Sequence, residues 1–174
     1  VLPFNLIVGG NRIVRYETNN RIVGGDIGNT IDATAIGATI VGGGIAGFNN
    51  VIGVSSWYSV IGGGTSNTAN SDYTFIGGGQ YHTASGGGSF IGGGYGNTTS
   101  DFDAVVVGGI FNTASGYRSF IGGGELHTAS GDRSVVVGGY NNTASGIGAF
   151  VGGGGWDGSV TGSNIASGPA SVIG

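Results

Sequence analysis

Along this chain, short apolar runs alternate with glycine clusters and small polar residues, and the alternation has a fixed period. Residues 59–148 divide into six blocks of fifteen: SVIGGGTSNTANSDY, TFIGGGQYHTASGGG, SFIGGGYGNTTSDFD, AVVVGGIFNTASGYR, SFIGGGELHTASGDR and SVVVGGYNNTASGIG. With the small residue as position one, the consensus is small, Phe/Val, Ile/Val, Gly/Val, Gly, Gly, two variable, Asn/His, Thr, Ala, Ser, Gly, two variable. Looser copies start at Asn5, Arg21, Thr39 and Ala149, with 16, 18, 20 and 22 residues, which places the extra residues in loops. A period of this kind marks a repeat architecture. Fifteen residues are too few for two packed helices, and consecutive glycines break a helix.

The unit suits two short strands, S-F-I-G and N-T-A-S, joined by glycine-containing corners: one rung of a parallel β-solenoid, or β-roll. Rungs then stack about 4.8 Å apart. Glycines at positions five, six and thirteen are expected to turn the chain. The Asn of position nine is expected at a left-handed corner, where it bonds its own backbone. One continuous domain follows, with irregular rungs over 1–58, six regular rungs over 59–148, and a C-terminal rung with an insertion over 149–174.

The side-chain columns assign the faces. Position three is always Ile or Val and position eleven nearly always Ala, with Thr99 the exception. Facing each other across a narrow rung, these two columns fill the interior. Position two is apolar as well and points the opposite way by the period-two rule. It trades volume with position four: Phe75, Phe90, Phe120 and Phe150 pair with glycines, while Val105 and Val135 pair with Val107 and Val137. Such exchange is what close packing demands. A strand apolar on both faces is buried on both, so the outer face formed by Phe75, Phe90, Val105, Val107, Phe120, Val135, Val137 and Phe150 is the expected interface of a homo-oligomer. Threefold closure is the natural choice for a thin rod. A second mode of self-association is a head-to-tail filament, in which Val1–Asn5 of one copy completes the unit opened by Ser171–Gly174 of another.

Composition narrows the function classes. Glycine accounts for 43 of 174 residues, charged residues for 8%, and the net charge is −4 from five Arg, no Lys and nine acidic residues. Five scattered Arg cannot build a phosphate-facing surface, so nucleic-acid binding and a polybasic membrane patch are excluded. There is no three-residue glycine period and only two Pro, which excludes collagen. No apolar run reaches the length of a membrane-spanning helix. With zero Cys there is neither a disulfide framework nor a thiolate metal site. The absence of Met points to a chain that begins after processing or belongs to something longer.

The motif A-S-G-x-x-S followed by F/V-I-G carries a resemblance. It is seen in Ala84-Ser85-Gly86-Gly87-Gly88-Ser89 and in Ala129-Ser130-Gly131-Asp132-Arg133-Ser134. Here the chain resembles the head repeats of YadA-like trimeric autotransporter adhesins, the haemagglutinin-like repeat family. The resemblance covers 59–148 well and the flanks loosely. It implies a left-handed parallel β-roll, a homotrimer, cell-surface display and adhesion to host glycans or matrix proteins. The chain departs from that family in its fifteen-residue unit and its run of three glycines, and it shows no neck, stalk or membrane anchor. The reading is therefore a non-enzymatic extracellular fibre or adhesin segment. A phage or virus tail-fibre segment that binds a receptor is the alternative, and an ice-binding solenoid the third.

No catalytic, cofactor or metal residues are expected. Thr39-Ile40-Val41-Gly42-Gly43-Gly44-Ile45-Ala46-Gly47 imitates a dinucleotide-binding fingerprint, but neither a helix nor an acidic residue follows at the required distance. A P-loop needs a Lys. Gly152–Asp157 partly matches a calcium-binding nonapeptide, with Ser159 where an apolar residue belongs, and such sites need stacked copies. His82 and His127 stand three rungs apart, about 14 Å, too far to share a metal or a proton; each reads as a corner residue in place of Asn. Asp101 and Asp103 read as solvated corner charges. Two surface features remain. Thr68, Thr83, Thr98, Thr113, Thr128 and Thr143 form an outward hydroxyl ladder, with a Ser file two residues on; its plain reading is a polar outer face, and its functional one an ice-binding face. Trp57, Tyr58, Tyr81, Tyr95, Tyr117, Tyr140 and Trp156 stand at variable positions as a candidate ligand surface, joined by Tyr73 and Phe102.

Overall fold

The computed structural model describes residues 4–8, 11–156 and 162–174. From Arg21 onward the chain is the parallel β-solenoid that the period predicts. Each rung contributes two strands, mostly of two residues. The ten first strands, with two antiparallel strands before them, make the twelve strands of sheet A, and the second strands make sheet B, of nine. In sheet A, Ile22, Thr39, Val60, Phe75, Phe90, Val105, Phe120, Val135, Phe150 and Val172 are successive register partners. In sheet B the sequence is Thr30, Val51, Thr68, Thr83, Thr98, Thr113, Thr128, Thr143 and Ile165. Single-residue bridges among Thr65, Gln80, Tyr95, Ile110, Glu125 and Tyr140 add a third column at position seven.

Two flanking units depart from the repeat. Thr39 pairs with Val60, a position-two residue, so that rung begins at the buried Ala38, one residue earlier than the pattern suggested. The copy from Asn5 is not a rung. Strand β1 (Phe4–Val8) pairs antiparallel with β2 (Asn11–Glu17), which pairs antiparallel with β3 (Arg21–Gly24), the first strand of the solenoid. The physical reason is that where a rung needs Thr-Ala this copy carries Val14 and Arg15, too large for a narrow interior. Asn19 and Asn20, with φ of 61° and 58°, reverse the chain instead. Of the proposed filament contact, Val1–Pro3 lie outside the described residues, and Phe4 and Asn5 are paired with Tyr16 and Arg15.

The core is the facing pair of columns read from the sequence. Ile61, Ile76, Ile91, Val106, Ile121, Val136 and Val151 are fully buried, as are Ala69, Ala84, Ala114, Ala129 and Ala144. Burying each Ile or Val contributes about 1.5–3 kcal/mol. Position one turns inward too, with Ser59, Ala104, Ser119, Ser134 and Ala149 all fully buried. Thr99, the exception in the Ala column, donates its hydroxyl to Ser89 Oγ at 2.9 Å and so brings its own partner. At the N-terminal end the nearly buried Arg21 closes the core. Its guanidinium donates to the carbonyls of Thr18, Ile31 and Asp32 and pairs with Glu17.

The corners fall only in part where expected, at position six. Left-handed φ recurs at positions six, eight and fifteen. Position six is glycine throughout, for example Gly79 at 92° and Gly94 at 98°. Positions eight and fifteen carry large side chains in this conformation, among them Tyr81, Phe111 and Leu126, and Tyr73, Asp103 and Arg118. That conformation costs a non-glycine residue of order 1–3 kcal/mol. A backbone bond to the preceding rung offsets it: Phe111 N–H to Tyr95 at 2.9 Å, Arg118 N–H to Phe102 at 2.9 Å. Position thirteen is not left-handed; a Cβ on Gly116 or Gly131 would run into the carbonyl of the next rung, so its glycine serves close stacking.

Candidate functional site

Position nine is the largest correction. Asn67, Asn97, Asn112 and Asn142 do not sit at left-handed corners; they are fully buried. Each aims its amide along the solenoid axis. Asn97 Oδ1 accepts the backbone N–H of Asn112 at 2.9 Å. Asn97 Nδ2 donates to the carbonyl of Gly93 in its own rung at 2.9 Å and of Gly109 in the next at 3.0 Å. The same three bonds recur at Asn112 and, with the ladder beginning at Asn29, run through Asn50, Asn67 and Asn142 to Asn164. The paired glycines of positions five and six thus present inward carbonyls that the amide satisfies. The sequence signal was present, because a polar column at fixed register inside a period is what an internal ladder requires.

His82 and His127 continue this ladder. Both are fully buried. Nδ1 of His82 accepts the N–H of Asn97, and Nδ1 of His127 that of Asn142, each at 3.0 Å. An accepting Nδ1 requires the neutral Nε2–H tautomer. Nε2 faces the carbonyl of Gly94, or of Gly139 for His127, without closing a well-formed bond. Burial lowers both histidines below the ordinary value of 6.5, against the raising effect of these backbone contacts. Among the described residues no group of three His, Cys, Asp or Glu side chains could hold a metal.

On the surface, sheet A presents positions two and four outward. Phe75, Val107 and Val137 are exposed, and Phe90, Val105, Phe120, Val135 and Phe150 half-buried. The volume exchange is visible in the geometry. A Cβ on Gly92 would stand 3.3 Å from the ring of Phe90, and one on Gly122 3.5 Å from that of Phe120. Phe75 and Phe90 stack with centroids 5.4 Å apart and planes 6° from parallel. The result is one apolar stripe along the rod. On sheet B the ladder from Thr68 to Thr143 is in strict register, each Thr half-buried, with Ser85, Ser100, Ser130 and Ser145 exposed beside it.

The aromatic residues gather on two corners. At positions seven and eight, Phe48, Tyr81, Tyr95 and Phe111 interlock edge to face with centroids 6.4, 5.4 and 5.2 Å apart. Tyr140 and Trp156 follow at 5.8 Å. At positions fourteen and fifteen, Tyr58 and Tyr73 stack, and Trp57 ties Nε1 to the carbonyl of Thr34 at 3.3 Å. Tyr117 is not a free platform, for the guanidiniums of Arg118 and Arg133 lie over its ring at 4.7 and 5.6 Å. Asp103 pairs with Arg118 at 3.3 Å, an exposed contact worth little. Asp101 accepts the N–H of Phe102 at 2.7 Å. The Gly42–Gly44 run enters no helix; Gly44 donates to Gly64 at 2.7 Å as part of the rung stack. The partial match to a calcium-binding nonapeptide falls in part on Asp157 and Ser159, outside the described residues.

No family model matches the chain, and no curated protein was found to match it.

Proposed function

We propose that this chain is an extracellular structural and adhesive fibre segment that acts as a homotrimer, three solenoids packed through the outer faces of their A sheets. The observation that carries the reading is the continuous apolar stripe of Phe75, Phe90, Val105, Val107, Phe120, Val135, Val137 and Phe150. It runs along a parallel sheet, an element that in stable proteins is covered on both faces. Contiguous apolar surface of this extent is what interfaces between subunits use. The head-repeat resemblance supports the count of three, surface display and attachment to a host molecule. Light scattering on the purified chain tests the assembly. Three times the 17.0 kDa of one chain is expected, falling to one copy when Phe90→Asp and Phe120→Asp are combined. A native mass of one chain would remove the proposal.

The register of Thr68 to Thr143 favours a second reading, an ice-binding face. Thermal hysteresis that vanishes on Thr113→Lys would support it.

A further inference from the structure

Positions fourteen and fifteen carry side chains in rung after rung, Asp72 and Tyr73 in one, Phe102 and Asp103 two rungs later. The rung between has Gly87 and Gly88 there. The missing side chains open a depression of about 430 Å³, floored by the two glycines and walled by these neighbours. A volume of this size lies within the usual range of small-ligand sites, about 300–1,000 Å³.

Its walls are fixed from behind. Tyr73 stacks on Tyr58 of the preceding rung, centroids 5.5 Å apart and planes 19° from parallel, so one ring face is covered and the other looks along the axis into the gap. Phe102 lies down over Gly87, its ring 2.7 Å from where a Cβ would stand. Asp103 reaches over Gly88, with Oδ1 2.6 Å from the corresponding position there, and its Oδ2 meets Arg118. Asp72 is oriented by the N–H of Trp57, which its Oδ1 accepts at 2.7 Å. The carboxylates of Asp72 and Asp103 therefore border a slot with an open aromatic face. The levels of Tyr73 and Asp103 are two rung repeats apart, about 9.6 Å, and Phe102 and Asp103, leaning over Gly87 and Gly88, take up part of that spacing.

A ligand for this slot needs a flat patch of C–H groups to lie on Tyr73, hydroxyls that donate to Asp72 and Asp103, and no negative charge. We propose that the notch binds an uncharged hexopyranose unit of a glycan. The site is built within one chain, so it goes beyond the fibre reading and stands whether or not that chain forms trimers.

The test uses the full chain on an array of neutral hexose oligosaccharides, with the tightest of them titrated by calorimetry. Two variants accompany it. Tyr73→Ala removes the platform. Gly88→Tyr fills the slot, and its backbone, with φ of 69°, matches the 55° and 58° at which Tyr58 and Tyr73 already sit, so the rung is retained. The expected result is binding by the native chain and a loss of about tenfold or more, about 1.4 kcal/mol, in each variant, with the circular-dichroism spectrum of the folded chain retained in both. No retention of any neutral glycan, undiminished binding by Gly88→Tyr, or capture of choline or trimethyllysine in place of sugars would each overturn the assignment.

Discussion

The side-chain Oδ1 of Asn97 accepts the backbone N–H of Asn112, its counterpart one rung later, at 2.9 Å. The contact ties each rung to the next from inside, where the strands tie them from outside. A solenoid is stabilised chiefly by nearest-neighbour terms, so an internal bond repeated at every interface adds along the whole length. It also favours one register, because a rung shifted by one residue would put Phe111 or Thr113 where Asn112 continues the ladder.

Removing one member should therefore cost more than an average surface polar contact. Asn112→Ala takes the amide partner from the carbonyl of Gly108 and the N–H of His127, and leaves the carbonyl of Gly124 with the Ile110 N–H alone. An unmade buried hydrogen bond costs about 1–3 kcal/mol per group, so a loss of roughly 3 kcal/mol or more is expected. Thr113→Ala, one residue on and facing outward, should cost far less, within about 0.5–1 kcal/mol. Urea denaturation of both variants checks the contrast, and equal midpoints would show that the ladder contributes nothing.

The two histidine rungs make stability depend on pH. Burial holds His82 and His127 below the ordinary value of 6.5 in the folded chain, so between the two values the unfolded chain binds more protons. Stability is then complete above about pH 6.5 and falls as the pH drops towards the folded value, at most by about 1.4 kcal/mol per pH unit for each histidine. Asp32, held below 3.8 mainly by the Thr34 hydroxyl, also loses its contribution on acidification, but in a window below that value. Thermal melts from pH 8 to 4.5 should show a falling midpoint in the native chain. The combined His82→Asn and His127→Asn variant should be nearly flat there, since Asn restores the neutral ladder. An equal slope in both would refute the assignment.

Fold and core were legible because they follow from period and volume: Ile76 and Ala84 recur at fixed register, and only a stacked rung gives such columns an inside. The corners were legible only at position six. Glycine is the expected mark of turning, yet Tyr73, Phe111 and Arg118 hold left-handed conformations because a bond to the preceding rung offsets their strain. Position nine misled for a related reason. Asn favours corners in isolated turns, and nothing local in N-T-A-S distinguishes that preference from an amide aimed at carbonyls fifteen residues away. The Gly87–Gly88 notch lay hidden because it is an absence, visible only once the neighbouring rungs are stacked beside it.

Consecutive glycines of one unit should respond differently to substitution. Gly79 has a φ of 92°, and a Cβ there would run into the carbonyl of Gly94 and into the ring of His82. Gly78 carries no positive φ, and a Cβ there meets nothing within 4 Å. Gly78→Ala is expected to be neutral or to stabilise by up to about 1 kcal/mol through the unfolded chain. Gly79→Ala should destabilise by more than the roughly 1–3 kcal/mol of the left-handed conformation alone. Calorimetric melting of the pair settles it, with matched midpoints as the result that contradicts the corner assignment.

At Ser119 and Ser134 the interior can be improved. Both are fully buried at position one, and neither hydroxyl has a partner. Ser59 in the same column donates to the carbonyl of Ser71 at 2.7 Å, and Ser89 accepts from Thr99. The column tolerates alanine, since Ala104 and Ala149 occupy it fully buried. Replacing an unpaired buried hydroxyl with a methyl-sized group removes a desolvation cost of about 1–3 kcal/mol while leaving only a small void. Ser119→Ala and Ser134→Ala should each raise stability, by about 1 kcal/mol. Ser59→Ala, which breaks a formed bond, should lower it. If denaturation midpoints moved the same way in all three variants, hydroxyl pairing would not be what distinguishes these rungs.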